Sequence, residues 1–249
     1  MSSNHRERVA IITGGTTGLG GATVKLFAEK GYRVLATNID DRNQFIDALL
    51  ANGLNVSFFA ADLRKPEAAA KAIIARAVEL WGRVDVVVNC AARIEHKSVL
   101  DVTEEDWDAI FAVNLKAPFF MAQAAFPQLE RVQGCIINVS STNAWRVNLK
   151  NQLYDSLKAA LNHMSKGLAL EFRDAGVRVN AIMPGGMHTP LITQWLEKHL
   201  GHAPTPEEST SALMAQPEWL AQGILALASD ELRWINGAEL PMDGGAFLG

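Results

Sequence analysis

Short apolar runs alternate along the chain with longer stretches in which apolar residues recur every three or four positions. The short runs predict buried strands at residues 34–37, 56–60, 84–88, 136–139 and 177–182. The longer stretches predict helices at residues 41–51, 66–81, 104–129 and 153–175. Continuous apolar strands joined by helical crossovers are typical of a parallel sheet with helices on both faces. The pattern therefore predicts one α/β domain, a doubly wound parallel sheet, over residues 1–249.

One region departs from this alternation. Residues 187–215 are rich in His, Thr, Pro and Glu and interrupt the succession of strands and helices. A further helix is predicted from Gln216 onward, and a last strand with its turn at residues 237–245. The interruption predicts a segment with its own role between the strand at 177–182 and the last helix.

A glycine-rich turn follows the first apolar run, residues 8–12, and precedes a helical pattern. The spacing of Gly14, Gly18 and Gly20 differs from the G-x-G-x-x-G fingerprint, but strand, turn and helix come in the required order. Glycines let the backbone approach a pyrophosphate, and the N-terminus of a helix offers free N–H groups and a positive dipole end. The turn predicts a dinucleotide site.

A possible proton-transfer group lies in the second half of the chain. Tyr154 and Lys158 are four residues apart on a predicted helix, so the ammonium can lie beneath the phenol ring. A phenol with a pKa near ~10 is a poor proton shuttle at neutral pH, and a nearby cation favours its ionised form. Ser141 follows a predicted strand, so its hydroxyl can hold a carbonyl or alcohol oxygen facing that helix.

Taken in order, these motifs resemble those of the short-chain dehydrogenase/reductase family, in its single-domain type, from about Arg8 to Gly245. The family's Thr-Gly-x3-Gly-x-Gly turn begins at Thr13, and its Asn-Asn-Ala-Gly element is present at 89–92 with two of four positions altered. The resemblance implies a Rossmann fold with a mobile substrate lid at about 187–215. It also implies an oxidoreductase that interconverts an alcohol and a ketone or aldehyde with a nicotinamide cofactor.

The resemblance further implies a role for each matching residue. Tyr154 would be the general acid in reduction and the general base in oxidation, and Lys158 would stabilise its phenolate and bind the nicotinamide ribose. Ser141 would polarise the substrate oxygen, and Asn114 would hold a water that links Lys158 to solvent. The implied cofactor contacts are Gly14, Thr16, Thr17, Gly18, Leu19, Gly20, Asn38, Ile39, Asp62, Leu63, Asn89, Ala91, Tyr154, Lys158, Pro184, Gly185 and Thr189.

The choice between NAD and NADP depends on the residues beyond the second strand. Asn38 stands where NAD-preferring members of the family carry an acid, and Asp40 follows two residues later. Thr16, Thr17 and Ile39 occupy places where NADP-preferring members often carry Arg or Lys. Because no obvious partner for a 2′-phosphate is present, the sequence favours NAD over NADP.

Polar residues predominate among the candidates for the substrate pocket. They follow the fourth strand, precede the Tyr154 helix or begin the predicted lid, and are Arg93, His96, Trp145, Arg146, Asn148 and His188. A polar, partly cationic wall suits a hydroxylated or anionic small molecule. The alternative for both arginines is a surface or subunit contact, and for both histidines a solvated loop.

Composition and charge disfavour several classes of partner and location. The net charge of −4 disfavours nucleic acid or an anionic membrane as a partner, and no apolar run approaches the ~20 residues of a membrane span. The polar N-terminus lacks a signal peptide, and Cys90 and Cys135 suggest free thiols in a cytoplasmic protein without a metal site. By resemblance, the protein is expected to be a homotetramer or homodimer.

Two other functions remain open on the sequence alone. One is a 3-oxoacyl-thioester reductase, an activity that usually uses NADPH and a basic docking surface. The other is a non-catalytic dinucleotide-binding protein, which the presence of Ser141, Tyr154, Lys158 and Asn114 disfavours.

Overall fold

The computed structural model of the protein describes residues 8–39, 44–188, 197, 201–202 and 214–248. The strands are β1 (Val9–Thr13), β2 (Arg33–Asn38), β3 (Val56–Ala60), β4 (Val86–Asn89), β5 (Cys135–Val139), β6 (Arg178–Pro184) and β7 (Glu239–Met242). The helices are α1 (Gly18–Glu29), α2 (Gln44–Ala51), α3 (Pro66–Trp81), α4 (Glu104–Phe111), α5 (Ala117–Val132), α6 (Gln152–Glu171) and α7 (Pro217–Ala228). Short 3-10 turns lie at Thr142–Ala144, Arg173–Ala175 and Asp230–Leu232.

The strands form a seven-stranded sheet in the order β3-β2-β1-β4-β5-β6-β7, and every described pairing is parallel. This confirms the predicted doubly wound sheet. The strand order reverses direction between β1 and β4, and ligands of such sheets bind outside the carboxyl ends of the strands at that point. The fold thus places the glycine turn after β1 beside the loop after β4.

Alternate residues of β1 serve the two layers of the core. Ala10 and Ile12 pack with α1, α2 and α7 on one face, whereas Val9 and Ile11 pack with α3, α5 and α6 on the other. This follows from the two-residue period of a strand, which sends successive side chains to opposite faces. Each large apolar side chain buried here contributes roughly 1.5–3 kcal/mol, so both helical layers hold the sheet in place.

The predicted helix at 104–129 differs from the structure in two respects: it ends later, at Val132, and it is interrupted. Between α4 and α5 the chain forms a π-helical turn, Ala112–Lys116, so that one extra residue enters the helix. The whole helix, Glu104–Val132, is long and apolar enough to cross a membrane by length and composition, a property that the core helices of many proteins share. Met121 and Leu129 are fully buried against the sheet.

The predicted lid lies largely outside the described residues. Its two ends are described, and they meet in a bridge between Met187 and Ala215, where the His188 N–H donates to the Ala215 carbonyl at 3.0 Å. The chain thus enters and leaves this segment at one place, next to the end of β6.

Candidate active site

A cavity of about 510 Å³ opens at the carboxyl ends of the central strands. Its walls come from the glycine turn, the loop after β4, the segment after β5, the first turns of α6 and the end of β6. The lining residues used below are Gly14, Thr17, Gly18, Leu19, Gly20, Asn38, Cys90, Ala91, Ile94, His96, Ser141, Asn143, Arg146, Asn151, Tyr154, Lys158, Pro184, Gly185, Met187, Met214 and Ala246.

Tyr154, Lys158 and Ser141 meet in this cavity. Their four-residue spacing on α6 places the Lys158 ammonium 5.4 Å from the centre of the Tyr154 ring. The Ser141 side chain hydrogen-bonds the Tyr154 phenol. Lys158 is only 2% exposed, and its Nζ donates to the carbonyl of Val139, the last residue of β5, at 2.8 Å. The structure therefore brings together the three residues that the sequence selects for proton transfer.

Burial controls the charge of this group. It raises the pKa of Tyr154 above its ordinary value of 10, and the hydrogen bond from Ser141 opposes the rise. Burial also lowers the pKa of Lys158 to about 8. Burial thus outweighs the hydrogen bond from Ser141, and the lowering of the phenol pKa by the Lys158 cation stays a prediction. Near neutral pH, Tyr154 is a phenol, able to donate its proton.

Ser141 owes its position to the turn that follows β5. It has extended backbone, with φ −163°, and begins the 3-10 turn Thr142–Ala144. Its Oγ accepts from the backbone N–H of Asn143 at 3.1 Å. Because one lone pair is taken in this way, the hydroxyl proton remains able to point toward Tyr154 or a substrate oxygen.

Asn114 lies in the π-helical turn, and π-turns are frequent at functional sites. Its side chain is 1% exposed and binds the backbone of Arg93 at both ends. The amide nitrogen donates to the Arg93 carbonyl at 2.7 Å, and the amide oxygen accepts from the Arg93 N–H at 2.8 Å. In this structure Asn114 thus holds the loop after β4, and its expected water-holding role remains a prediction.

The glycine turn forms a cradle that side chains would fill. A Cβ on Gly20 would lie 2.1 Å from the Gly14 carbonyl oxygen, and one on Gly14 would lie 2.9 Å from the Ala91 Cα. Gly14 also has φ +65°, which favours glycine. The helix cap, Thr17, makes no side-chain capping bond, and the first turn of α1 has no acidic residue. These residues fit a dinucleotide, since free N–H groups at a helix start bind phosphate.

The residues expected around the adenosine differ in their positions. Asn38 lines the cavity; its side-chain nitrogen donates to Thr16 Oγ1, and its oxygen accepts from the Ile39 N–H at 2.8 Å. Ile39 is 49% exposed. Asp62 is bound by Arg64, which lowers the carboxyl pKa. Thr16, Ile39, Asp62 and Leu63 are not among the described residues that line the cavity.

The loop after β4 is fixed by buried polar contacts. Asn89 donates to the side-chain oxygen of Asn138 at 2.8 Å, and Asn138 donates to Ser165 Oγ at 2.8 Å. Thr13 Oγ1 accepts from the N–H groups of Cys90 and Ala91, both at 3.1 Å. Asn89 is therefore a support beneath the cavity, whereas Ala91 lines it. Pro184 and Gly185 line the opposite side, and Thr189 lies outside the described residues.

Two of the six residues expected to face the substrate, His96 and Arg146, line the cavity. Trp145 instead donates to Glu239 Oε2 at 2.7 Å and packs on Phe247 with ring centres 5.4 Å apart. Arg93 pairs with Glu95 at 3.0 Å. Arg93, Trp145, Asn148 and His188 are absent from the described part of the cavity wall. For Trp145 and Arg93 the reason is a side-chain partner, Glu239 and Glu95 respectively, that holds the residue elsewhere.

Several cavity residues were not selected from the sequence. One is Asn143, whose amide could have been noticed from its place between Ser141 and Tyr154; Asn151, expected in the pocket wall, does line the cavity. Cys90 is free, as predicted; it also lines the wall, and burial raises its pKa to about 12. The apolar Ile94, Met187, Met214 and Ala246 also line the cavity and make its wall less polar than expected, while Ser140 and Thr142 add polar groups.

Comparisons with known proteins find similar reductases and dehydrogenases. A family model described as enoyl-(acyl carrier protein) reductase matches residues 14–246. The chain is 36% identical to a 2,5-dichloro-2,5-cyclohexadiene-1,4-diol dehydrogenase of Sphingobium indicum, with 100% of both chains covered. It is 34% identical to a 3-oxoacyl-[acyl-carrier-protein] reductase of Thermotoga maritima, covering 97% of this chain and 98% of the other.

Two further similarities extend the range of relatives. A 4-formylbenzenesulfonate dehydrogenase of Comamonas testosteroni is 33% identical, over 97% of this chain and 98% of its own. Among solved structures, the crystal structure of gox2181 superimposes with a TM-score of 0.88 at 28% identity, covering 98% of this chain and 96% of that one.

Proposed function

Since this chain belongs to the short-chain dehydrogenase/reductase family, we propose that it is an NAD-dependent dehydrogenase of small alcohols that carry a second polar or anionic group. It is an oxidoreductase that acts on CH–OH groups with a nicotinamide cofactor, as its named relatives indicate. One observation supports the proposed chemistry above the others: the Tyr154 phenol is hydrogen-bonded by Ser141 and lies over Lys158 in the cavity wall.

The chain's own residues manage the proton while the bound nicotinamide supplies hydride exchange. In reduction, Tyr154 Oη donates its proton to the carbonyl oxygen, which suits a phenol whose pKa is raised by burial. In oxidation, the deprotonated Tyr154 Oη takes the hydroxyl proton from the alcohol, so this direction gains from a higher pH. Ser141 holds the reacting oxygen, and Lys158 supplies positive charge beneath the ring.

The preference for NAD rests on the cofactor end of the cavity. The lining residues there are Gly14, Thr17, Gly18, Leu19, Gly20 and Asn38, and none of these is Lys or Arg. A 2′-phosphate would therefore lack a charged partner among them, whereas the Asn38 oxygen keeps a lone pair for a ribose hydroxyl. This supports NAD and argues against NADP.

The proposed substrate class is based on the residues at the opposite end of the cavity from the cofactor cradle. Arg146 offers a cation on the wall, and His96 a second polar side chain, while Ile94, Met187 and Met214 contribute apolar surface. A ring or short carbon skeleton can pack on the apolar residues while an anionic or hydroxyl substituent reaches Arg146. We therefore expect mixed-polarity alcohols to be preferred over purely apolar ones.

The test is a matched pair of alcohols, benzyl alcohol and 4-(hydroxymethyl)benzenesulfonate, each assayed with NAD and with NADP. The sulfonate should give the higher kcat/KM with NAD, by about 10-fold if a single ion pair forms with Arg146. Arg146→Met should remove that advantage and leave benzyl alcohol unaffected. Arg173→Met is the control, because Arg173 is an exposed arginine that pairs only with neighbouring Asp174 among the described contacts.

Tyr154→Phe decides the chemistry itself. It should abolish turnover of both alcohols while NADH binding, followed by fluorescence, changes little, because only the phenolic oxygen is lost. Substantial remaining turnover would remove Tyr154 from proton transfer. If wild type instead acts only on an acetoacetyl thioester with NADPH, the protein is an acyl-thioester reductase like its Thermotoga relative, and the Asn38 argument is wrong.

We also propose that the protein assembles as a homotetramer or homodimer. Trp107 on α4 and Phe119 on α5 are 50% and 43% exposed, so both helices offer apolar surface that a second copy of the chain could cover. Light scattering after size exclusion checks this: a monomer at micromolar concentration contradicts it.

A further inference from the structure

Asp155, the residue after Tyr154, is a buried carboxylate with three hydrogen bonds to one segment. It is 3% exposed. Its Oδ1 accepts from the side-chain nitrogens of Asn143 at 2.8 Å and Asn151 at 2.6 Å, and its Oδ2 accepts from the backbone N–H of Asn148 at 2.8 Å. All three donors belong to residues 143–151, which join the turn after β5 to α6. This carboxylate is therefore devoted to that segment.

The segment carries part of the active site. Asn143, Arg146 and Asn151 line the cavity, and the Asn143 backbone N–H is the group that donates to Ser141 Oγ. Asp155 thus connects the helix that bears Tyr154 to the residue that orients Ser141. A change at Asp155 reaches the reacting atoms through one intervening residue, Asn143.

Apolar packing anchors this segment at Trp145, which packs on Phe247, but contributes little at the residues nearer Asn151. Val147 is 82% exposed and Leu149 is 87% exposed, so neither contributes much burial. Lys150 has φ +60°, a conformation that side chains other than glycine rarely adopt and that persists only when the surroundings enforce it. Next to Lys150, Asn148 and Asn151 are both bound to Asp155, and Gln152 Nε2 donates to the Asn148 carbonyl; these polar bonds enforce the conformation.

The orientation of the Asn151 amide also shows that the Asp155 carboxylate determines the local hydrogen bonding. Its nitrogen is turned to Asp155, and its buried Oδ1 has no hydrogen-bond donor among the described residues. Leaving a buried carbonyl oxygen without a donor is unfavourable. The opposite amide orientation would place an acceptor against the carboxylate, which costs more, so the charge of Asp155 fixes the orientation of Asn151.

We propose that Asp155 is a positioning residue, a latch that ties residues 143–151 to the catalytic helix and thereby sets Ser141 against Tyr154. This inference rests on the proposed alcohol oxidation, because its kinetic effect is expressed through Ser141 and Tyr154. It adds a residue that the family motifs quoted above do not include.

The test is a double-mutant cycle of Asp155→Ala and Asn143→Ala, assayed with benzyl alcohol and NAD. Asp155→Ala should lower kcat by about 100-fold, as expected for a small misplacement of a reacting group. NADH affinity should change less than about 2-fold, since the cofactor cradle lies elsewhere. The double variant should be no slower than Asp155→Ala alone, because contacting residues do not add. Asp155→Asn, which keeps one acceptor oxygen, should be intermediate.

A matched control separates positioning from general support of the helix. Asn236 ties the far end of α6 to the sheet: its nitrogen donates to the Ala169 carbonyl at 3.0 Å, and its oxygen accepts from the Val179 N–H at 2.9 Å. Asn236→Ala should lower the thermal midpoint without changing kcat. Equal kinetic losses in Asn236→Ala and Asp155→Ala, or additive losses in the cycle, would overturn the proposal.

Hydrogen exchange keeps the latch testable if benzyl alcohol is not turned over. In Asp155→Ala, the amides of residues 143–151 should exchange about 10-fold or more faster, while those of β5 and β6 are unchanged. Unchanged exchange in the segment would refute the latch. Absence of turnover of every alcohol by wild type would refute the proposed function instead.

Discussion

The buried Lys158 makes a quantitative prediction about stability against pH. Burial lowers its pKa from 10.5 to about 8 in the folded protein. Between these values the unfolded chain binds more protons than the native state, so the free energy of unfolding rises with pH. Each unit of pKa difference is worth about 1.4 kcal/mol, and integration from pH ~8 to pH ~10 gives about 2 kcal/mol. Below pH ~7 both states carry the charge, and the contribution is flat.

Other buried groups make the free energy of unfolding fall as pH rises. Their contribution is cancelled by comparing wild type with a variant that keeps them. Burial raises the pKa of Cys90 and of Tyr154, so the unfolded forms ionise first and stability falls as pH rises through their unfolded values. Lys158→Met keeps these groups and deletes only the ammonium. The quantity to follow is therefore the unfolding free energy of wild type minus that of Lys158→Met.

Urea unfolding followed by the fluorescence of the six tryptophans supplies the measurement. The difference should grow by about 2 kcal/mol from pH ~8 to pH ~10 and stay constant below pH ~7. Lys25→Met, at an exposed lysine paired with Glu29, is the control and should show no comparable rise. A constant difference across the whole range would show that Lys158 keeps an ordinary pKa, and a falling difference would show a raised one.

Three further substitutions test the glycine cradle, the adenosine end of the cavity and a buried carboxylate that supports the sheet. Gly20→Ala places a methyl group against the Gly14 carbonyl, so NADH affinity by fluorescence titration should fall about 10-fold or more; unchanged affinity would place the cofactor elsewhere. Asn38→Asp should shift the NAD/NADP ratio of kcat/KM toward NAD by repelling a 2′-phosphate, and an unchanged ratio means that Asn38 does not face the ribose. Asp85→Ala removes a 2%-exposed carboxylate that accepts from the Val9 N–H at 2.8 Å; urea unfolding should show a loss of about 1.5–3 kcal/mol, and a loss below ~1 kcal/mol contradicts its structural role.

The fold was predictable because its signals are local. The predicted bounds of β3 and α3 agree with the structure, since β3 follows an apolar run and α3 begins at Pro66 and is ended by Gly82 with φ +73°. The predicted helix at 153–175 ends earlier, at Glu171, and continues as a 3-10 turn before Gly176. Apolar periodicity cannot reveal the π-helical turn around Asn114, because one extra residue barely disturbs the pattern.

The substrate end of the site was less predictable because side-chain direction depends on distant partners. Trp145 is turned away by Glu239, which is 94 positions further along the chain. Asp155 lies beside Tyr154 in the sequence, yet its role depends on three donors that come from the preceding loop. The sequence identified the reacting residues. The residues that line the cavity around them depend on contacts that only the folded structure shows.

The Asn114 amide binds position 93 through main-chain atoms alone. Every residue other than proline presents the same N–H and carbonyl, so the loop keeps its course whichever side chain stands there. The course of the loop is therefore independent of the side chain at position 93. The arginine can be exchanged, in evolution or by design, without changing the backbone that carries it. Exchange of Asn114 has the reverse effect, since it releases the loop whatever residue occupies position 93.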